Sequence, residues 1–288
     1  MRCTFTEQMV KKIFLKILLA SIPVLLLAVL YVYADPFLVL YHYDDLFASG
    51  KKHFELNEDY VSTEAYLQSI KRNRYDAYIM GNSRSRYFYP DEWKKRNPGI
   101  TPYYLGVAGE TLFGVAGKLK MIDRKGQEIK DVLLVADYNL FSRAENSKGH
   151  LFIKHPEVSG DSKMDFQLAN ARDFFNFDAI YQYFKLKPEK NVKILGDKQI
   201  LAEAEIQRNP DEYYKTHAHL FYERDGKVHY HRKFMTNRHR QLLREIKTLL
   251  NKHNTRYKVI ISPLYDQKVM DTSDSREICE ILGRDHIF

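Results

Sequence analysis

Cysteine is almost absent from this sequence, which contains two cysteines among 288 residues. Cys3 precedes a long apolar run near the N-terminus, and Cys279 lies close to the other end of the chain. If the apolar run crosses a membrane, the two thiols lie on opposite sides of it, so we expect no internal disulfide. The folded part of the chain must then be stabilised by its hydrophobic core.

A concentrated basic surface is also lacking. The chain has 45 Lys and Arg against 37 Asp and Glu, a net charge of +8, but the basic residues are spread along the sequence and interleaved with acidic ones. Because nucleic-acid binding needs basic residues clustered on one element, we expect no nucleic-acid partner. The excess charge suits attraction to anionic lipid or to anionic envelope polymers.

Long hydrophobic runs are rare, since 28% of the residues are charged, but residues 13–33 form one. Its only charge is Lys16, which lies close enough to the end to reach the headgroups. About 20 apolar residues suffice to cross a hydrocarbon core roughly 30 Å thick. We therefore predict a transmembrane anchor over residues 13–33, with the bilayer lipid as its partner.

Charges on either side of this run predict its orientation. Basic residues precede it and acidic residues follow it: Arg2, Lys11 and Lys12, then Asp35, Asp44 and Asp45. The positive-inside rule places residues 1–12 in the cytoplasm and the rest of the chain outside, as a single-pass protein of the cell membrane. The alternative is a signal peptide cleaved after Val32-Tyr33-Ala34. The run is longer than the usual signal core of roughly 7–15 residues, which favours an uncleaved signal-anchor.

The remainder predicts an α/β domain over residues 75–288, after a polar, aromatic lead-in over residues 34–74 that contains a helix at 62–71. Apolar runs at 76–80, 103–107, 131–136 and 257–262 indicate strands. Helical patterns separate them at 84–96 (broken at Pro90), 111–124, 236–253 and 275–282. This alternation predicts a parallel sheet covered by helices on both faces. The alternation lapses over about 141–235, which we interpret as an insertion over the sheet.

Polar and glycine residues follow three of the predicted strands: Gly81-Asn82-Ser83, Gly109 and Asp137. In parallel sheets, ligands bind beyond the carboxyl ends of the strands. A serine nucleophile needs exposure at a tight strand-to-helix turn and hydrogen-bond donors for the developing oxyanion. Gly81 permits such a turn, and Ser83 would lie where backbone N–H groups point outward.

The spacing of these residues resembles that of the SGNH (GDSL-like) hydrolase superfamily, and in particular its membrane-anchored cell-envelope members. Gly81-Asn82-Ser83 resembles the first family block, which implies Ser83 as the nucleophile. The segment from Tyr104 to Thr111 matches the second block at both glycines and at Thr111, but has Tyr104 where the family has Asn. The resemblance implies that the backbone N–H groups of Ser83 and Gly109 bind the oxyanion.

The third family block is matched more loosely by Asp137-Tyr138-Asn139. Asn139 would supply a side-chain donor to the oxyanion, with Asn82 and Asp137 in supporting roles. The resemblance implies a flavodoxin-like SGNH fold, no cofactor and no metal. It implies a serine esterase or O-acyltransferase that acts on acyl esters of a cell-envelope polysaccharide. The alternative is a non-catalytic polysaccharide-binding or assembly protein on the same fold.

The fourth family block, Asp-x-x-His, has no match after the last predicted strand. Asp285 and His286 are adjacent and do not fit this spacing. The family's general base is this histidine, oriented by the aspartate. The chain ends at Phe288, where another strand should begin, so we expect a C-terminally truncated chain with the base beyond Phe288. Such a chain is expected to be inactive or nearly so.

Alternating histidines raise the separate hypothesis of a metal-dependent hydrolase. The four are His217, His219, His229 and His231, around a predicted hairpin turn at Asp225-Gly226. In that register Tyr222 faces His229 and Leu220 faces His231, while the first two histidines project from the opposite face. Four ligands converge only if the register slips by one residue, so we expect a solvated or glycan-facing ribbon rather than a metal site.

Overall fold

A computed structural model describes residues 2–43, 52–186, 210–216, 218, 226–264 and 266–288. In these residues the chain is an α/β protein with a four-stranded parallel sheet, flanking helices and one apolar N-terminal helix. The chain divides into two compact units, Met1–Leu56 with Gln167–Asn191, and Asn57–Phe166 with Val192–Phe288.

The elements are, in chain order, α1 (Arg2–Ala34), α2 (Glu58–Ser69), β1 (Ala77–Gly81), a first 3₁₀ helix (Ser83–Tyr87), α3 (Pro90–Arg96), β2 (Pro102–Tyr104), α4 (Leu112–Arg124), β3 (Asp131–Ala136), α5 (Tyr138–Phe141), α6 (Pro156–Ser159), α7 (Lys163–Phe174), α8 (Phe177–Lys185), α9 (Pro210–Thr216), α10 (Asn237–Lys252), β4 (Arg256–Ile261), α11 (Thr272–Leu282) and a second 3₁₀ helix (Arg284–His286).

The first unit begins with α1. Its segment Met9–Ala34 has a mean hydropathy of 2.7 and is long and apolar enough to cross a membrane, as the sequence predicts. Nothing in the most apolar part of this segment is buried within the protein. Its exposed apolar side chains, such as Phe14 and Leu26, are what a lipid-facing helix requires. This is consistent with a single-pass membrane anchor.

A turn at Asp35 directly follows α1. This residue has a φ of 42°, and its buried carboxylate accepts hydrogen bonds from the backbone N–H groups of Val39, Leu40 and Tyr41. The Tyr43 hydroxyl donates another at 2.8 Å. One carboxylate thus satisfies backbone donors that the turn leaves without intrahelical partners.

The sheet of the second unit has the order β2-β1-β3-β4, and every pair is parallel. β3 spans the residues that the sequence predicts, and β1 and β4 are each shifted by one residue. β2 is shorter than predicted and ends at Tyr104, but hydrogen bonds to β1 continue from Leu105 N and Val107 N. Gly81 pairs with Val135, and Ala136 pairs with Ile261, so the carboxyl ends of these strands lie level.

The main hydrophobic cluster lies on one face of the sheet. Alternate strand residues, including Met80, Leu134 and Val259, are buried there with residues of α4 and α10. On the other face Val135 of β3 is fully buried and Leu133 is half-buried. The apolar run of β3 predicts burial on both faces, and the structure covers the second face completely at Val135 but only in part at Leu133.

The stretch predicted as an insertion contains α6 to α9 in its described parts. Gly117 of α4 allows α6 to approach closely, since a Cβ there would lie 2.8 Å from Val158 Cγ1. Most of the predicted hairpin, including His217, His219 and Asp225, lies outside the described residues. So do Leu220 and Tyr222.

Candidate functional site

Ser83 lies on an exposed turn directly after β1. Gly81 has a φ of 141°, and a Cβ at this position would collide with the Val135 carbonyl oxygen of β3. Asn82 then caps the first 3₁₀ helix, with its side-chain oxygen 3.2 Å from Arg84 N. No described residue forms a hydrogen bond with the exposed Ser83 hydroxyl. The turn therefore presents this hydroxyl to solvent.

Asp137 joins this turn to the end of β3. Its carboxylate is fully buried, and Oδ2 accepts hydrogen bonds from Asn82 Nδ2 at 2.6 Å and from Arg84 Nη1 at 2.7 Å. The other oxygen caps α5 by accepting from Leu140 N at 2.9 Å. The two residues predicted to support the nucleophile are thus bonded directly to each other. Asn139, one residue into α5, is exposed.

Glu58 of α2 holds the Gly109 loop beside the Ser83 turn. Its Oε2 accepts from Ala108 N and pairs with Arg86 Nη2, each at 2.7 Å. Ala108 precedes Gly109, and Arg86 belongs to the helix that begins at Ser83. The loop and the turn therefore share one carboxylate at the same edge of the sheet. Nothing in the sequence pattern singles out Glu58, because α2 precedes the sheet and carries no motif.

Tyr104 occupies the position where the resembled family has Asn, and its hydroxyl contacts the Ser83 turn through Ser85. Ser85 Oγ donates to Asn82 O at 2.7 Å, so the Tyr104 hydroxyl, 2.9 Å away, donates to Ser85 Oγ. Burial raises the pKa of Tyr104, which keeps its hydroxyl neutral and able to donate. Gly106 leaves room for this pair, since a Cβ there would collide with both hydroxyls. Ser85 is fully buried, in contrast to Ser83.

Phe152 and Arg143 flank Gly109 from the segment that follows α5. Gly109 has a φ of 66°, and a Cβ there would lie 2.9 Å from the Phe152 ring and 4.0 Å from Arg143 Nη1. Both side chains are exposed. Sequence reasoning missed them, because they lie more than 30 residues from Gly109 in a segment without a motif. They add an aromatic ring and a cation to the group of residues around Ser83 and Gly109 at the carboxyl edge of the sheet, which we call the rim.

A buried ion cluster lies next to Gly109 and comprises Asp59, Glu110, Lys118 and Lys154. Lys118 Nζ lies 2.5 Å from Glu110 and 3.0 Å from Asp59. Lys154 Nζ lies 2.6 Å and 3.3 Å from the same two carboxylates. All four side chains are at most 3% exposed. The two positive and two negative charges balance, so the cluster is neutral as a whole.

Pairing outweighs desolvation in this cluster. Burial acts to raise the pKa of the Asp59 carboxyl, but Lys118 and Lys154 hold it well below its usual range. Burial acts to lower the pKa of Lys118, but the two carboxylates raise it. Gly114 of α4 gives the cluster room, because a Cβ there would lie 2.7 Å from Lys154 Cε. The cluster fixes Glu110, which follows Gly109, and Lys154, two residues after Phe152, without reaching solvent.

His231 is the residue of the predicted histidine ribbon that packs beside the candidate site. Its ring stacks on Tyr138 at 3.9 Å, with planes 7° apart. Its buried Nε2 lies 3.5 Å from Asp266 Oδ1 and has no hydrogen-bond partner in the described chain. Within the described ranges, no group of three or more His, Cys, Asp or Glu side chains is arranged to hold a metal ion.

Comparison of the sequence with protein families and with curated proteins identifies no relative. No protein-family model matches the chain, and no curated protein matches it. The functional reading therefore rests on the residues described above and on their geometry.

Proposed function

We propose that this chain is an exported, membrane-anchored serine esterase or O-acyltransferase of the SGNH type, acting on acyl esters of a cell-envelope polysaccharide. The apolar helix α1 supports the anchor, and the basic residues before it favour an external domain. The strand order β2-β1-β3-β4 agrees with the first four strands of the flavodoxin-like order.

The observation that carries the proposal is the exposed Ser83 hydroxyl on a turn that its neighbours hold fixed. Asn82 and Arg84, on either side of Ser83, both bond to the buried Asp137. Positioning of this kind is what a nucleophile needs, because a small misplacement of reacting atoms costs rate. The Gly109 loop, tied to the same turn through Glu58, would supply the oxyanion donor.

In the proposed reaction, Ser83 Oγ attacks the ester carbonyl carbon and its proton passes to a solvent water. The N–H groups of Ser83 and Gly109, with the Asn139 side chain, stabilise the tetrahedral oxyanion. Collapse of that intermediate breaks the ester bond, and water returns the proton to the departing alcohol. Water or a sugar hydroxyl then attacks the acyl group, and its proton returns to Ser83 Oγ. No described residue contacts the Ser83 hydroxyl as a base, so we expect slow turnover.

Replacement of Ser83 by Ala in the full chain tests this function. We expect hydrolysis of p-nitrophenyl acetate above the buffer rate for the wild type, and the buffer rate for Ser83→Ala. Ser159→Ala is the matched control, since it removes a serine hydroxyl that accepts from Asp161 N and lies outside the Ser83 turn. It should retain turnover. Equal turnover by the wild type and Ser83→Ala would exclude Ser83 as the nucleophile.

A non-catalytic polysaccharide-binding or assembly protein is the second candidate. It is favoured by the lack of a base at Ser83 among the described residues and by the exposed pair Arg143 and Phe152 beside Gly109. An aromatic face and a guanidinium are suited to an anionic sugar polymer. A wild type without turnover supports this candidate, if it binds anionic polysaccharide and if Arg143→Ala weakens that binding while Ser83→Ala does not.

A further inference from the structure

A cavity of about 290 Å³ opens at the carboxyl edge of the sheet, beyond the end of β4. Its lining is mainly apolar and comes from the segment after β4, from α11 and from the chain end: Leu264, Val269, Met270, Ile278 and Ile287. Tyr138, which follows β3, and Cys279 of α11, a free cysteine, also line the cavity. Ligand pockets of small molecules have this apolar character, with a few polar groups.

The cavity and Ser83 lie on the same edge, two strands apart. Gly81 of β1 pairs with Val135 of β3, which pairs with Ile260 of β4. Neighbouring strands are about 4.8 Å apart, so the ends of β1 and β4 are separated by about 10 Å. Tyr138, which immediately follows the Asp137 that holds the Ser83 turn, lies between them. An extended alkyl chain of medium length spans this distance.

Polar groups lie next to Tyr138 and Val269, two of the residues that line the cavity. His231 N bonds to Val269 O at 2.8 Å, and the His231 ring covers Tyr138. His231 Nε2 is buried without a hydrogen-bond partner in the described residues, and Asp266 is 3.5 Å from it. Lys268 also lines the cavity and is about half exposed, with its ammonium 3.9 Å from Asp266. A ligand with an apolar tail and one polar end matches this arrangement.

We propose that the cavity binds the alkyl part of a medium-chain acyl group, with the carbonyl end directed toward Tyr138. As a statement about the substrate, this rests on the proposed function of Ser83. An apolar cavity of about 150 Å³ already accommodates benzene, so this one is far larger than an acetyl group needs. Each methylene buried in it adds to affinity. The acyl group is therefore a medium aliphatic chain rather than acetyl.

Alkylation of Cys279 measures occupancy directly. In the full chain with Cys3→Ser, held in lipid nanodiscs, we expect saturating octanoate to slow maleimide labelling of Cys279 by about tenfold and acetate to have no effect. The matched control is Cys279→Ser with Cys3 retained, in which octanoate should not alter labelling of Cys3. Equal slowing at both cysteines would show a general effect of octanoate on the bilayer and overturn the proposal.

Two variants separate the cavity from the catalytic hypothesis. Val269 is 49% exposed and lines the cavity, so Val269→Trp should fill the space without disturbing the core, and octanoate should no longer slow labelling. Ser83→Ala should retain the protection, whatever its effect on ester hydrolysis. The proposal would be overturned if octanoate did not slow the labelling of Cys279 in the chain with Cys3→Ser. It would also be overturned if labelling slowed without octanoate as the protein concentration rose, since a second copy would then cover the cavity.

Discussion

Two groups of charged side chains near the carboxyl edge of the sheet differ in how far their charges are shielded from water. In the buried ion cluster, each of the two lysine ammonium groups lies within 3.3 Å of both carboxylates, and all four side chains are nearly sealed from water. At the rim, one buried carboxylate, Asp137, serves Asn82 and Arg84, and Arg84 is 32% exposed. Between these two partners Ser83 is exposed.

The difference follows from desolvation. A buried charge costs several kcal/mol unless partners replace its lost water, so the buried cluster has its charges fully paired. The buried cluster positions two loops, since it fixes Glu110 and Lys154 near Gly109 and Phe152. At the rim, in contrast, Arg84 is partly exposed to water. It holds the turn through one carboxylate and leaves one hydroxyl available to a ligand.

Lys118→Met should produce the largest effect, because it removes a cation from between two buried carboxylates. We expect the free energy of unfolding to fall by about 3–5 kcal/mol, the cost typical of breaking a buried pair. Denaturation of the full chain in urea, followed by the fluorescence of its single tryptophan, Trp93, measures this change.

Lys120→Met is the matched control on the same helix. Lys120 pairs with Glu245 at the surface, where its side chain is 42% exposed, so the loss should be about 0–1 kcal/mol. Equal losses for the two variants would show that burial adds nothing to the pairing of Lys118.

Asp137→Ala should have an intermediate effect at the rim. It removes the cap of α5 and leaves the buried Asn82 amide without its partner, which costs about 1–3 kcal/mol. The loss is smaller than for Lys118 because Arg84 regains water. If Ser83 is the nucleophile, ester hydrolysis should fall further than stability, since the turn loses its anchor. Asp123→Ala, at a surface pair with Lys252, should leave turnover unchanged. Unchanged turnover in Asp137→Ala would show that this carboxylate is not needed to position Ser83.

The pH dependence of the buried cluster should be the smallest effect. The pKa of Asp59 is lowered in the folded chain, so its contribution is present above the unfolded pKa of about 3.9 and is lost as pH falls through the folded value. The pKa of Lys118 is raised, so its contribution is present below about 10.4 and is lost as pH rises through the folded value.

The stability difference between the wild type and Lys118→Met should therefore be constant from about pH 5 to about pH 9 and shrink as the medium becomes more acidic. Urea denaturation at a series of pH values measures it. A difference that grows on acidification would contradict the assignment of Asp59 as a paired carboxylate.

Local pattern predicted much of the sheet and its helices. The continuous apolar run of β3 and the spacing of leucines in α10 gave bounds within one residue of those observed. β2 was overextended, because its last predicted residues keep hydrogen bonds to β1 without forming a regular strand. The partial exposure of Leu133 was missed, since coverage of a face depends on helices distant in sequence.

The rim was predicted in part. Asn82, Ser83 and Asp137 follow strands, and strand ends in a parallel sheet meet at one edge, so their proximity is a consequence of topology. Glu58 and Phe152 come from segments whose sequence carries no motif. The roles assigned to Ser83, Gly109 and Asn139 in chemistry stay predictions.

The sequence by itself determined the long apolar N-terminal helix, the alternation of strands and helices and the glycine turn before Ser83, because each depends on neighbours within a few residues. Tertiary structure decided which charges are sealed and which reach water. Lys118 and Lys120 are two residues apart on one helix, yet one is buried between carboxylates and the other lies at the surface. That outcome depends on Asp59 and Lys154, which are brought together by the fold from 95 residues apart.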